Sequence, residues 1–400
     1  MDDHTHFHHH VSSPSDHHAQ AHEVYPSRRD FLRVLMGGAL AGASILELAY
    51  HRAAWARAAL DSESKLFDIE KAAEGIYFAQ ARPQAMINCN AAIFVRAKDV
   101  VVVDAHSKPS AATSLIGQIK REITEKPVRY VINTHFHWDH TQGNHAYRVA
   151  ESPIDFIASA ATKQLMSDLA VPRAKASIAQ ASHQVEELRA RVAKSTSAEE
   201  KAFCADQIRQ IEAYQAELQN YSLELPTITF EKSYLLQDSA HDLHLEFHGR
   251  AHTAGDVVVF CPQKRVIATG DMIHGFLPNI ADGYPRAWKG TMGSVGRLDF
   301  TKILPGHASL QEGHTIMSSM GNYIEELTAR VEEAKKAGLT VADMQKRITV
   351  ASLKSLQSNG YGEYLQRNAL RFHPHFGKLP PLQDGVNSNI TEIYSNLDRA

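Results

Sequence analysis

The chain has 400 residues, 44% of them hydrophobic and 22% charged, a globular composition with material for a sizeable core. Its formal net charge of −3 argues against a nucleic-acid binder that works through bulk positive charge. Cys89, Cys204 and Cys261 are widely spaced and odd in number, so no disulfide framework or Cys-x-x-Cys pair follows, and buried free thiols are expected.

Histidine is the outlier. Of 24 in the chain, His4, His6, His8, His9, His10, His17, His18 and His22 crowd the first 22 positions. That stretch has few large apolar residues and cannot build a core, so it reads as a disordered, solvated leader that is later removed; loose metal binding is the alternative. Residues 27–60, "SRRDFLRVLMGGALAGASILELAYHRAAWARAAL", place a charged, an apolar and a small-residue region in the order of an export signal. The apolar run 34–48 falls short of the roughly 20 residues that cross a bilayer, so no stable membrane span is expected after signal cleavage. Ser27-Arg28-Arg29-Asp30-Phe31-Leu32 resembles the twin-arginine motif of bacterial export signals, with Arg33 where lysine is usual. The resemblance implies folded export by the twin-arginine machinery to a periplasmic or otherwise exported location. "AWA" at 54–56 is a small-x-small cleavage site, so the mature chain would begin near Arg57; an uncut membrane anchor is the other reading.

From 67 to 106 the pattern is β, with "GIYFAQA", "NAAIFVRA" and "DVVVVDAH" as short strands separated by turn residues. Four consecutive valines, Val100, Val101, Val102 and Val103, suit a strand buried on both faces. "PSAATSLIGQIKREITEK" has helical apolar spacing and "PVRYVINT" is the next strand, so a strand–helix–strand unit sets the class as α/β. Residues 157–223 read as an inserted helical hairpin, with Ser197 and Glu200 offering a capping box at its turn. Its charged faces read as solvated surface, a lid over the site being the alternative. Strands resume in "TITF", "SYLLQ", "DLHLEFHG", "VVVFCP" and "KRVIATG". After His307 helices are expected in "IMSSMGNYIEELTARVEEAKKAG", "TVADMQKRI" and "GYGEYLQRNALRF", with a polar, irregular tail from Pro380.

The chemistry concentrates at the end of the "PVRYVINT" strand. "THFHWDHTQGNH" holds His135, His137, Asp139 and His140 in a His-x-His-x-Asp-His pattern. His135 and His137 are two apart, so in extended chain both side chains point to one side. Asp139 and His140 follow where the chain begins to turn. Imidazole and carboxylate suit zinc, and two clusters brought close together make a two-metal site. One local motif cannot close two sites. "GRAHTAGD", "VIATGDMI" and "ILPGHASL" place His252, Asp271 and His307 at further strand ends, each near a glycine that lets the backbone turn close to an ion. His106, His145 and His274 read singly as packing or surface residues.

These motifs, in this order, resemble the ligand motifs of the metallo-β-lactamase fold superfamily, over roughly residues 67–310. The resemblance implies a four-layer αβ/βα sandwich of two mixed sheets. It also implies that His135, His137 and His252 hold one metal, that Asp139, His140 and His307 hold a second, and that Asp271 bridges them. The resemblance further implies that Asp104, at the end of the "VVVVD" strand, supports a ligand histidine by hydrogen bond. The expected divisions are a leader and signal at 1–56, a metallo-β-lactamase-fold domain at 57–315 carrying the insertion, and a C-terminal helical extension with its tail at 316–400.

Two Zn2+ ions are the expected cofactors, with iron or manganese as alternatives. Zinc lowers the pKa of bound water to about 7, so the expected reaction on a small-molecule substrate is hydrolysis by metal-bound hydroxide. The bond is an ester, lactone, thioester or amide-like one. Asp139 and Asp271 are the candidate proton acceptors. Asp271 stands where zinc β-lactamases usually have cysteine or serine, and matches the glyoxalase II-like and lactonase-like branches instead. Two other readings are a mononuclear iron dioxygenase acting on a persulfide, and a non-catalytic zinc-binding protein. Trp138, Phe276, Tyr284 and Trp288 are candidates for a pocket wall, with ordinary packing as the competing reading.

Overall fold

The computed structural model describes residues 66–82, 89–151, 153–219, 222–372 and 382–399; the expected leader and export signal at 1–56 lie outside the described residues. The first half of the fold opens as an antiparallel meander of β1 (Phe67–Ala73), β2 (Ile76–Ala81), β3 (Ala91–Val95) and β4 (Val100–Val103). Helix α1 (Pro109–Glu122) then crosses over to β5 (Val128–Ile132), which lies parallel to β4. Two short helices, α2 (Trp138–Thr141) and α3 (Asn144–Ala150), lead to β6 (Asp155–Ser159), parallel to β5. The hairpin of α4 (Ala160–Lys194) and α5 (Ala198–Gln219) follows, and β7 (Ile228–Phe230) closes a seven-stranded sheet in sequence order.

The second sheet has six strands in the order β13-β12-β11-β10-β9-β8. They are β8 (Ser233–Leu236), β9 (Leu243–Glu246), β10 (Val258–Cys261), β11 (Val266–Gly270), β12 (Lys302–Pro305) and β13 (Gln311–Glu312). Helix α6 (Pro285–Val295) is the crossover that lets β11 and β12 run parallel. After the sheet come α7 (Thr315–Lys336), α8 (Val341–Arg347), α9 (Lys354–Gln357), α10 (Tyr361–Phe372) and α11 (Leu382–Asn396).

Side-chain alternation sorts these elements into layers. Val101 and Val103 of β4 face inward with Phe78, Phe94 and Ile132, against Leu245, Val259 and Ala268 of the second sheet. Val100 and Val102 face the other way, onto Leu115 and Ile119 of α1. The outer face of the second sheet, with Val258, Ile267 and Ile303, packs on α6, α7 and the C-terminal helices. The result is the expected αβ/βα sandwich of two mixed sheets. All three cysteines are buried and free, as their spacing suggested.

Three expectations need correction. Residues 157–159 belong to β6, and the helical insertion begins at Ala160, where Ser159 caps α4 by accepting from the Thr162 amide at 3.1 Å. The capping box at Ser197 is half made. Ser197 Oγ accepts from the Glu200 amide at 3.2 Å, while the Glu200 carboxylate turns instead to Ser195 and Arg191. The tail is also not irregular throughout. Residues 382–396 form α11, which buries Val386, Ile390 and Ile393. Those positions are four and three apart, the spacing of one helix face, but the Asn, Ser and Thr between them are weak helix formers and hide the pattern.

Candidate metal centre

The seven candidate ligands come from four separated stretches of chain and meet at one edge of the sandwich. His135 lies in a bend just beyond β5 and His137 in extended backbone after it, with ring centroids 4.7 Å apart. His137 is the residue preceding α2, so Asp139 and His140 fall in that helix and turn to a different position. His252 lies in the loop beyond β9, Asp271 directly follows β11, and His307 follows β12.

One group gathers His135, His137 and His252, with His252 Nε2 2.9 Å from His137 Nδ1. The other gathers Asp139, His140 and His307, with His307 Nε2 3.1 Å from Asp139 Oδ2. Asp271 stands between them. Its Oδ1 is 3.4 Å from His140 Nε2, and its Oδ2 is 3.3 Å from His307 Nε2 and 3.7 Å from His252 Nε2.

The outward nitrogens are held by the surrounding fold. His140 Nδ1 is 2.8 Å from Asp104 Oδ2, the kind of support that the family resemblance implied for Asp104. Asp104 also accepts from the Thr134 amide and hydroxyl, and sits at φ 68, a left-handed conformation held by those bonds and by its own amide donating to Ile132. His135 Nδ1 lies 3.0 Å from Thr134 Oγ1. His252 Nδ1 donates to the Asn279 carbonyl at 3.0 Å, and His137 Nε2 meets Asp282 Oδ2 at 2.8 Å. Asn90 donates to the Pro305 and Ala308 carbonyls on either side of His307.

The donor set suits a divalent cation. Burial, reinforced by the imidazoles of His140, His137 and His252, pushes His135 well below its ordinary pKa. Burial with His137 beside it brings His252 down to about 3. Both rings are therefore neutral and keep a lone pair to offer a metal. Burial pushes the Asp139 carboxyl up, but His140 and His307 outweigh it and bring it to about 2. Asp271 lies well below the usual carboxylate range for the same reason, His307 and His140 outweighing burial. His135 Nε2, His140 Nε2 and Asp271 Oδ1 are buried, aimed into the cluster and without hydrogen-bond partners. Such atoms are costly to leave unsatisfied, and a cation among them removes that cost.

Glycines border the cluster because nothing larger fits. A Cβ on Gly306 would stand 2.2 Å from Asp271 Oδ1. A Cβ on Gly270, which adopts φ +52, would stand 2.2 Å from Thr134 Oγ1.

The other candidates separate cleanly. His145 sits with Glu224 at 2.9 Å, on α3. His106 is buried on Phe67 with its Nδ1 2.9 Å from the Cys89 carbonyl. His274 is nearer the cluster than its lone position in the sequence suggested, with its ring centroid 6.2 Å from that of His307. Trp288 is fully buried and donates to the Met272 carbonyl, so it is core. Trp138 packs on the inserted hairpin, 5.8 Å from the Tyr214 ring, and Phe276 and Tyr284 are half-buried. Sequence reasoning missed Asp282, Asn279 and Asn90. The only signal was an Asn and Asp within the Gly/Pro loop after Asp271, and nothing in it pointed to a distant histidine.

A sandwich of two mixed sheets with a His/Asp cluster at its edge defines a class of metal-dependent hydrolases. Residues 86–307 match the Metallo-beta-lactamase superfamily, and the chain belongs to it. Among solved structures it is similar to a metallo-beta-lactamase from Pontibacter korlensis, with 15% identity, a TM-score of 0.46, and coverage of 64% of this chain and 97% of that one. A second, from Hirschia baltica, gives 17% identity and a TM-score of 0.46, covering 65% of this chain and 98% of that one. A third, from Erythrobacter litoralis, gives 16% and 0.46, covering 66% and 99%.

Proposed function

We propose that the protein is an exported hydrolase with a dinuclear zinc centre that cleaves an ester, lactone, thioester or amide-like bond in a small molecule. The observation that carries this reading is the position of Asp271, whose two oxygens face the two groups of ligands at once. In this reading His135, His137 and His252 hold one ion, Asp139, His140 and His307 hold the other, and Asp271 is shared. A complete second group favours two metals over a mononuclear iron dioxygenase, which needs only two histidines and a carboxylate. Zinc bound there supplies Lewis acidity and lowers the pKa of a coordinating water to about 7.

The chain's own residues do the rest. Asp104 and Asp282 orient imidazoles from outside the cluster. Asp139, kept ionised by His140 and His307, would accept at Oδ2 the proton that the attacking water gives up and hand it to the leaving group.

The test is metal content followed by a panel of lactones, thioesters, β-lactams and phosphodiesters on zinc-loaded protein. Two equivalents of zinc and chelator-sensitive turnover of a carboxylic or thioester substrate are expected. Less than one equivalent after careful reconstitution refutes the reading.

A further inference from the structure

The loop that follows Asp271 lies against two candidate ligands at once. Its Asn279 carbonyl takes the Nδ1 proton of His252, and its Asp282 carboxylate meets Nε2 of His137. A histidine that donates one nitrogen outward presents the other as a lone pair. Asn279 therefore leaves Nε2 of His252 facing inward, and Asp282 leaves Nδ1 of His137 facing inward. Those two atoms are the pair 2.9 Å apart inside the first group.

The loop is itself held from two directions, by the two parts of the chain that lie outside the sandwich. From the inserted hairpin, Arg173 of α4 grips Asp282 with two parallel bonds, Nη1 to Oδ2 at 2.7 Å and Nη2 to Oδ1 at 2.8 Å. The same guanidinium lies over the Phe136 ring at 4.9 Å, between the two motif histidines. This is the planar, two-pronged pairing that arginine makes and lysine does not. From the C-terminal extension, α11 holds the other end. Asn389 donates to the Pro278 carbonyl at 2.7 Å, Glu392 accepts from the Ile280 amide at 2.9 Å, and Asn396 donates to the Ile280 carbonyl at 2.5 Å.

We propose that residues 278–282 form a strap that sets the tautomers of His137 and His252, and that Arg173 and α11 hold the strap in place. The inserted hairpin and the C-terminal extension are then parts of the metal centre's support. Asp282 and Arg173 are positioning residues: they act on the metal through His137. The inference rests on the reading of His135, His137 and His252 as ligands of one ion.

Full-length protein should be titrated with Co2+ and then with Zn2+ in competition with a chelator, so that two binding constants are read. Asp282→Ala should weaken one of the two equivalents about 10–100-fold and leave the other unchanged. The near-isosteric Asp282→Asn and the Arg173→Ala variant should weaken the same equivalent less, and Arg173→Lys should recover only part of that loss. Ring 15N spectra of the zinc-loaded protein should show His137 protonated at Nε2 in the wild type, with that signature lost in Asp282→Ala. Glu217→Ala is the control. It removes the bonds that dock α5 on Ser110 without touching Asp282, and should leave both constants as they were.

Unchanged constants in Asp282→Ala and Arg173→Ala overturn the strap. So does an equal loss in Glu217→Ala, which would mean that hairpin docking alone matters. A wild type that takes up no metal overturns the two-metal reading itself, an outcome distinct from two equivalents that ignore Asp282.

Discussion

Asp271 and Gly306 are a pair that only folding brings together. They are distant in sequence, yet the space a Cβ on Gly306 would need is occupied by Asp271 Oδ1, with His140 Cε1 at 2.9 Å behind it. The flanking backbone is fixed, because the Gly306 amide donates to Gly270 and its carbonyl accepts from Asn90. The glycine cannot yield, so the carboxylate must. Gly306→Ala should therefore displace Asp271 from its place between the two ligand groups. Elemental analysis should show loss of at least one metal equivalent, while far-UV circular dichroism stays that of the wild type. A variant that retains both equivalents would show that Asp271 is not needed where it stands.

The inserted hairpin is an element with a core of its own. Ala181, Val185 and Leu188 of α4 pack against Phe203, Cys204, Ile211, Tyr214 and Leu218 of α5, apart from the cores of the sandwich. It touches the rest of the molecule through polar contacts such as Tyr214 to Gln142 at 2.9 Å, and through Trp138. A local core lets a local unit open alone. Leu188→Ala should cost roughly 2–5 kcal/mol within the hairpin. Hydrogen exchange should then quicken across 174–218 while the Val100–Val103 amides of β4 keep their protection. Equal loss in β4 would mean that the hairpin and the sandwich unfold as one.

Across the whole molecule, the candidate ligands come from the segment beyond β5 with α2, from the loop after β9, and from the chain just past β11 and β12. Each candidate group draws on segments from both sheets, so in the proposed reading metal loading follows folding. That order agrees with export in the folded state, the route the Arg28-Arg29 pair suggests. Among the described residues no helix is long and apolar enough to cross a membrane. Exported protein should begin near Arg57, and changing Arg28 and Arg29 to lysine should retain it in the cytoplasm. N-terminal sequencing that finds Met1 intact on exported material would sink the cleavage claim.

The sequence by itself determined the layers and the list of candidate ligands. Val100 to Val103 announce a strand buried on both faces because four β-branched residues in a row leave no polar side. The His-x-His-x-Asp-His spacing announces a metal motif because alternation and a following turn aim the side chains in two directions. The sequence did not show that Asp282 steadies His137, that Arg173 from an insertion steadies Asp282, or that α11 reaches the same loop. Hydrogen-bond partners of this kind leave no periodicity and no local spacing. They are chosen by where distant backbone segments come to rest, and only the packed tertiary structure decides that.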